Sequence, residues 1–368
     1  MEQKKLGFGL MRLPLLDKAD NGSIDIEHTK KMVDTFIERG FTYFDTAWMY
    51  CKFQSEHATK VALVDRYPRE SYTLATKLHA NFFETVEERD NIFEEQLKKT
   101  GVTYFDYYLL HDMNQERYEK YEKYDCFNWL KDKKEKGLVK TMGFSYHDNA
   151  ELLDKILTEH PEMEFVQLQI NYIDWDSDDV QSRKCYEVAV KHGVPVIVME
   201  PVKGGMLANV PAEVEKLFKD YNADMTIPSW AIRFTASLDN VFMVLSGMSN
   251  MEQLLDNTDY MMDFKPLSEE EHAVIAKATE MIKSQVEIPC TGCAYCVDGC
   301  PVNIPIPSYF NLVNECAKKI DPFGKYEKLS ENKGKASECV ECGQCEAICP
   351  QHIHIIDELK KVAERFKK

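Results

Sequence analysis

No apolar run in this sequence approaches the roughly 18 residues that a membrane-spanning helix needs. Positive charge is also scarce. Forty-five Lys and Arg stand against 62 Asp and Glu, a formal net charge of −17. Nucleic acid rewards a basic face, so this balance argues against such a partner. The chain has no internal repeat and no low-complexity segment. Its N-terminus carries Lys4 and Lys5, but Arg12 and Asp17 interrupt the apolar stretch beyond them, so no signal peptide is expected. The expectation is a cytoplasmic protein with neither a membrane nor a nucleic-acid partner.

Cysteine is sparse over most of the chain and dense at its end. Cys51, Cys126 and Cys185 are scattered, whereas the other nine of the 12 cysteines lie beyond residue 289. In a large chain without an export signal, such a cluster reads as metal ligation rather than disulfides. Composition shifts to Cys, Gly and Pro around residues 286–289, which places a domain boundary there: 1–285 and 286–368.

Within the first domain, apolar strands alternate with amphipathic helices. Strand-like runs lie at 6–13, 41–45, 72–76, 104–110, 138–143, 165–170, 194–199 and 241–245, with helical patterns after each. The helix patterns include 116–136, 210–236 (broken before Pro228) and 250–262. Strict alternation implies a parallel sheet. Eight units in about 250 residues is the size of a closed (β/α)8 TIM barrel. An open doubly wound sheet would want a glycine-rich loop after its first strand. Gly7-Phe8-Gly9 lacks the third glycine and leads into no helix.

Four polar residues fall at equivalent places in this pattern. Asp45 ends the second strand, Tyr50 lies in the loop after it, Lys77 ends the third strand and His111 the fourth. In a barrel these four project into one mouth. A free Tyr has a pKa near 10, and a lysine cation beside it favours the phenolate. A carboxylate paired with that lysine keeps it charged and in place. A neutral His can donate a hydrogen bond to a carbonyl oxygen. The set suits protonation of a carbonyl oxygen while hydride arrives at carbon.

The run Asp45-Thr46-Ala47 with Tyr50, Lys77 after Leu74-Ala75-Thr76, and His111 after Tyr107-Tyr108-Leu109-Leu110 together resemble the catalytic tetrad of the aldo-keto reductases. The resemblance spans residues 6 to about 262. It implies Tyr50 as general acid, Lys77 tuning it, Asp45 holding Lys77, and His111 orienting the substrate carbonyl. It also implies a nicotinamide cofactor, NADP or NAD. Ser145 and Gln167 stand where the family holds the carboxamide, and Met199 where an aromatic usually stacks on the ring. Gly204 and Gly205 would let backbone approach the pyrophosphate. Residues 246–257 look like the adenosine-phosphate loop and helix, with Ser246, Ser249, Asp256 and Asn257 as contacts. Gly247 and Gln253 replace the usual cations, so weak discrimination between NADPH and NADH is expected. Lys203 and Arg233 read as solvated surface rather than phosphate contacts. His79 and His147 lie near the mouth.

The second domain carries Cys290-x2-Cys293-x2-Cys296-x3-Cys300-Pro301 and then Cys339-x2-Cys342-x2-Cys345-x3-Cys349-Pro350. Each is the bacterial ferredoxin run for a 4Fe–4S cluster. A zinc ribbon would not need the third cysteine and the proline. In two-cluster ferredoxins the fourth cysteine of each run ligates the other cluster. The expected sets are Cys290, Cys293, Cys296 and Cys349, and Cys339, Cys342, Cys345 and Cys300. Cys316 reads as a packed thiol in an intervening helix.

The chain therefore resembles the iron–sulfur branch of the aldo/keto reductases: a barrel followed by a ferredoxin-like α-helical domain with two 4Fe–4S clusters. The implied substrate is a small carbonyl or alcohol, and a ferredoxin or another redox protein is a candidate partner. Two other readings stay open. One is an electron-transfer protein whose barrel binds a partner or has lost hydride chemistry. The other is a cluster domain whose metal is structural.

Overall fold

The structure, a computed structural model, describes residues 4–315 and 322–367. Cys316 lies outside these residues. The chain divides into two compact units. The first comprises residues up to Asp176 with Gln181–Pro201 and Pro228–Ser268, and the second comprises Ser177–Val180, Val202–Ile227 and the residues from Glu269 onward.

The first unit is built on eight strands: β1 (Leu6–Gly9), β2 (Tyr43–Asp45), β3 (Thr73–His79), β4 (Phe105–Met113), β5 (Val139–Tyr146), β6 (Phe165–Gln169), β7 (Val196–Met199) and β8 (Val241–Ser246). Each pairs in parallel with the next, and β8 closes on β1. Side chains alternate across a strand, so every second residue points inward. One buried interior cluster contains Tyr43, Ala75, Leu109, Phe165, Ile197, Met243 and Leu245. Full burial of the larger aliphatic and aromatic members stabilises the barrel by roughly 1.5–3 kcal/mol each. β1 contributes only Gly7 to this level, because a Cβ there would stand 2.7 Å from Leu245 Cδ2.

The outer helices start where short polar side chains satisfy their first free N–H groups. Asp25 accepts from His28 N, Thr85 from Glu88 N, and Asn149 from Leu152 N. No described helix is long and apolar enough to cross a membrane.

Four local expectations shift. β3 and β4 run two residues past Lys77 and His111, to His79 and Met113, so those two residues lie inside the ladder rather than at its end. β1 stops at Gly9 rather than Leu13 because the Leu10 carbonyl leaves the ladder and accepts from Ser55 Oγ at 2.9 Å. The helical run 116–136 is two helices, Gln115–Lys123 and Cys126–Glu135, separated at Asp125 with φ +51°. The 210–236 run breaks over residues 222–226, and Pro228 lies inside the first turn of the helix Ile227–Ala236, where its missing N–H costs nothing.

In the second unit the helix Ala212–Tyr221 packs on the helix Glu269–Lys283. Beyond these, Ile288, Ile304, Ile306, Tyr309, Phe310, Leu359 and Val362 form a separate small core. Tyr326 and Phe366 stack with ring centroids 4.7 Å apart. Tyr309 donates to Gly334 O at 2.9 Å, tying a helix to a loop.

Candidate functional site

The interior alternation that fills the barrel also builds its mouth. Two residues beyond Tyr43, Ala75, Leu109, Phe165 and Ile197 stand Asp45, Lys77, His111, Gln167 and Met199. A packed apolar level thus gives way to a polar one, at the C-terminal ends of the strands. Lys77 Nζ, with three donors, meets Asp45 Oδ1 at 2.5 Å, Thr46 O at 2.7 Å and the Tyr50 hydroxyl at 3.4 Å. Lys77 is fully buried and Asp45 nearly so. Burial pushes the Asp45 carboxyl up and the Lys77 ammonium down, and their mutual contact opposes both shifts. The His111 ring stands edge-on to Tyr50, centroids 5.8 Å apart. Burial, then His79 and Lys77, drive the His111 imidazole well below its ordinary pKa, so it is neutral at neutral pH.

Tyr50 is placed by an unusual turn. Cys51, Lys52 and Phe53 all have positive φ, at 50°, 52° and 66°. Left-handed backbone costs a non-glycine residue about 1–2 kcal/mol. Anchors hold the turn: Cys51 Sγ lies 3.5 Å from Met11 O, and Ser55 Oγ bonds Thr46 Oγ1 at 2.8 Å. Such strain is characteristic of functional positions. The rings of Trp48 and Phe82 flank Phe53 at 5.9 and 5.5 Å.

Behind this level lies a shell of ordering contacts. His79 Nδ1 accepts from Asn81 N, and its Nε2 faces Asp112 Oδ2 at 3.4 Å. Arg117 and His147 also approach Asp112. Burial alone would raise the Asp112 carboxyl, but His79, His147 and Arg117 together hold it below its ordinary value. Glu56, fully buried, accepts from Thr76 Oγ1 and Gln96 Nε2, both at 2.7 Å, and Gln96 also donates to Lys77 O at 3.0 Å. Burial lifts the Glu56 carboxyl.

The residues expected to hold nicotinamide divide in two. Ser145 and Gln167 are register partners on β5 and β6. Ser145 Oγ accepts from Asp112 N at 2.8 Å, while Gln167 Oε1 is buried and makes no hydrogen bond. That orphaned acceptor suits a carboxamide donor. Met199 is half-buried at the end of β7. In the 246–257 segment, Ser246 Oγ accepts from Asn257 Nδ2 at 2.7 Å, and Asn257 Oδ1 accepts from Tyr260. Gln253 is engaged in the cap of the helix Met251–Met262: its Oε1 accepts from Ser249 N, and its N–H donates to Asn250 Oδ1. Gly204 and Gly205, by contrast, belong to the second unit. A Cβ on Gly204 would stand 2.1 Å from Thr291 O. The close backbone approach at Gly204 is therefore made by the first cysteine run.

In the second unit, Cys290, Cys293, Cys296 and Cys349 line one cavity. Among the described residues no three His, Cys, Asp or Glu side chains converge on a single-ion site. Four thiols lining one cavity are the donor set that a 4Fe–4S cluster takes. Burial first, then neighbouring cysteines, push the Cys290 thiol up to about 11. The Cys345 thiol is likewise pushed up to about 11, by burial and then Glu346 and Cys339. Four thiolates gathered out of water are unfavourable alone, and a positively charged iron–sulfur core offsets that repulsion. Cys300 Sγ accepts from Ile304 N at 3.4 Å, and Cys290 Sγ from Gly292 N at 3.4 Å.

The aldo/keto reductase family model matches residues 5–280, about three-quarters of the chain. The chain belongs to the aldo/keto reductase family. A 4Fe–4S dicluster domain model matches residues 289–354 of the chain, as in the family's iron–sulfur branch. Its fold is shared by the holo form of an aldo-keto reductase from Bacillus halodurans (23% identity, TM-score 0.60, covering 74% of this chain and 91% of that one). An aldo-keto reductase from Klebsiella pneumoniae in complex with NADPH is also similar (18% identity, TM-score 0.57, covering 75% and 95%). A further Klebsiella pneumoniae aldo/keto reductase structure, with NADP and acetate, has 18% identity and a TM-score of 0.59 over 75% and 95% of the two chains. No curated protein sequence matches this chain.

Arg12 and Lys203 take places in this chain that their sequence context does not give them. Arg12 lies beside Gly247, where a Cβ would stand 3.4 Å from Arg12 Cδ, and its Nη2 is buried without a hydrogen bond. Ser249 Oγ donates to Arg12 O at 2.8 Å. A cation from the first strand's loop thus stands where Gly247 offers none. Lys203, which its sequence context places at the solvated surface, is only 1% exposed.

Proposed function

We propose that this chain is an NAD(P)H-dependent oxidoreductase that reduces an aldehyde or ketone to an alcohol, or runs the reverse. The observation that carries the reading is the Lys77 ammonium, held at once by Asp45, Thr46 and the Tyr50 hydroxyl. A nicotinamide, when bound, would supply the hydride that the carbonyl carbon takes up. Tyr50 donates its hydroxyl proton to the carbonyl oxygen, and the adjacent Lys77 charge stabilises the phenolate left behind. Asp45 keeps Lys77 charged in a dry site, where an unpaired ammonium would be costly. Neutral His111 donates a hydrogen bond to the same carbonyl oxygen and orients it. Ser145 and Gln167 would hold the carboxamide, Met199 would pack by the ring, and Ser246, Ser249 and Asn257 would shape the adenosine end. Arg12 would provide the cofactor phosphate with a cation.

The cysteines are assigned to two 4Fe–4S clusters with crossed fourth ligands: Cys290, Cys293, Cys296 and Cys349, and Cys339, Cys342, Cys345 and Cys300. The cavity lined by Cys349 with the first three supports the first set. When assembled, such clusters supply one-electron transfer. Cys342 is exposed, and Val340 beside it is 58% exposed. An uncovered apolar residue at a cluster edge supports exchange with a ferredoxin or another small one-electron carrier.

The test is an anaerobic assay of the purified chain with NADPH and NADH against a panel of aldehydes and ketones, measuring alcohol formed. Reduction of at least one class is expected. Tight nicotinamide binding without any alcohol, alongside clusters that reduce and reoxidise freely, would favour the electron-transfer reading instead.

A further inference from the structure

The second unit holds a buried cation that the proposed reaction does not use. Lys203 is 1% exposed, with a left-handed backbone at φ +46°. That conformation costs a lysine about 1–2 kcal/mol, so the position is held by its surroundings. Gly204 is next in the chain, at φ +64°, against the Thr291 carbonyl in the first cysteine run. Lys203 Nζ donates to Gln351 Oε1 at 2.8 Å. Gln351 is itself buried and comes directly after Cys349-Pro350. The segment is thus pinned at two points of the first ligand set's surroundings: the ammonium on Gln351, two residues after Cys349, and Gly204 on Thr291, the residue after Cys290. At the second set the corresponding charge is different in kind. Lys360 acts near Cys339, but its side chain is 53% exposed and paired with Glu341 at 3.0 Å.

We propose that Lys203 is an electrostatic tuning residue that raises the reduction potential of the cluster held by Cys290, Cys293, Cys296 and Cys349. The inference rests on the two-cluster reading above. One-electron reduction adds a single negative charge to the cluster and its thiolates, with no bond made or broken and no proton required. A fixed positive charge nearby favours that reduced form. Burial keeps the interaction from being screened by solvent and salt. An exposed, paired lysine such as Lys360 gives little of this.

The experiment is a potentiometric titration of the anaerobic full-length holoprotein with dithionite, monitored by electron paramagnetic resonance, with iron counted on each sample. Lys203→Gln keeps a donor for Gln351 and removes the charge. Lys203→Met removes both, and Lys203→Arg keeps the charge. In Lys203→Gln one midpoint is expected to move to lower potential while the other stays, with about eight irons retained. Lys203→Arg is expected to keep both midpoints near wild type. Unchanged midpoints in Lys203→Gln, or equal movement of both, overturn the proposal. Loss of iron in Lys203→Gln as well as in Lys203→Met also overturns it, because Lys203 is then only an anchor. A wild type holding about four irons instead sinks the two-cluster reading on which the inference stands.

Discussion

The barrel mouth and the cysteine core both bury groups that prefer water, but they settle the cost differently. At the mouth the chain supplies counterparts for its buried ionisable groups. Lys77 has Asp45, a carbonyl and a phenol; Asp112 has two histidines and an arginine; Glu56 has Thr76 and Gln96. That site is assembled by the polypeptide alone. In the second unit, four thiols meet around a cavity, and burial pushes the Cys290 and Cys345 thiols up to about 11. Their natural counter-charge is inorganic. The difference teaches that the barrel should be complete without iron, whereas the cysteine unit reaches its stable form only with it.

The strongest way to break this comparison is to remove cluster ligands. Cys349→Ala and Cys290→Ala are each expected to lose about half the iron, roughly four atoms of eight. Under crossed ligation the double variant loses no more than either single one. A double variant that loses both clusters refutes the crossing. The barrel is expected to keep nicotinamide affinity in all three, as measured by fluorescence titration. A parallel loss of cofactor binding would show that the two regions are not separable.

A smaller effect is expected at Arg12. A charge-assisted hydrogen bond contributes about 1.5–3 kcal/mol, so Arg12→Gln should weaken nicotinamide binding by roughly 10- to 100-fold. Iron content should not change. Unaltered affinity would remove Arg12 from the phosphate site and restore the expectation of a cofactor loop without a cation.

The smallest effect is a pH dependence. His111 is held neutral in the folded chain, with its pKa well below the ordinary value. The unfolded chain therefore takes up the proton first as the pH falls through about 6.5. A group depressed in the folded state lends stability above its unfolded pKa and withdraws it on acidification. The barrel's melting temperature should fall as the pH drops below about 6.5, and His111→Asn should flatten that slope. An identical slope in the variant would assign it to other groups.

Much of this arrangement is legible in the sequence because barrels write it at strand ends. An apolar run that stops at Asp45, and others that turn polar at Lys77 and His111, mark one level of the mouth from period-two alternation alone. The cysteine runs are legible because cluster geometry fixes their spacing. What escapes depends on long-range approach or on backbone that carries no marker. Arg12 meets Gly247 across 235 positions of sequence. Lys203 looks like any surface lysine until Gln351 buries it. The break at Asp125 and the left-handed run Cys51-Lys52-Phe53 contain no glycine or proline to announce them.

The central claim is that Tyr50, activated by Lys77 and Asp45, carries carbonyl reduction in a barrel that does not need the clusters for that step. The most direct measurement compares wild type with Tyr50→Phe in anaerobic alcohol formation, with iron content and nicotinamide affinity taken on the same samples. The account predicts a rate loss of about 10²–10⁴, with iron and cofactor binding unchanged. A variant that works within a few-fold of wild type, or one whose lost activity tracks lost iron, would contradict it.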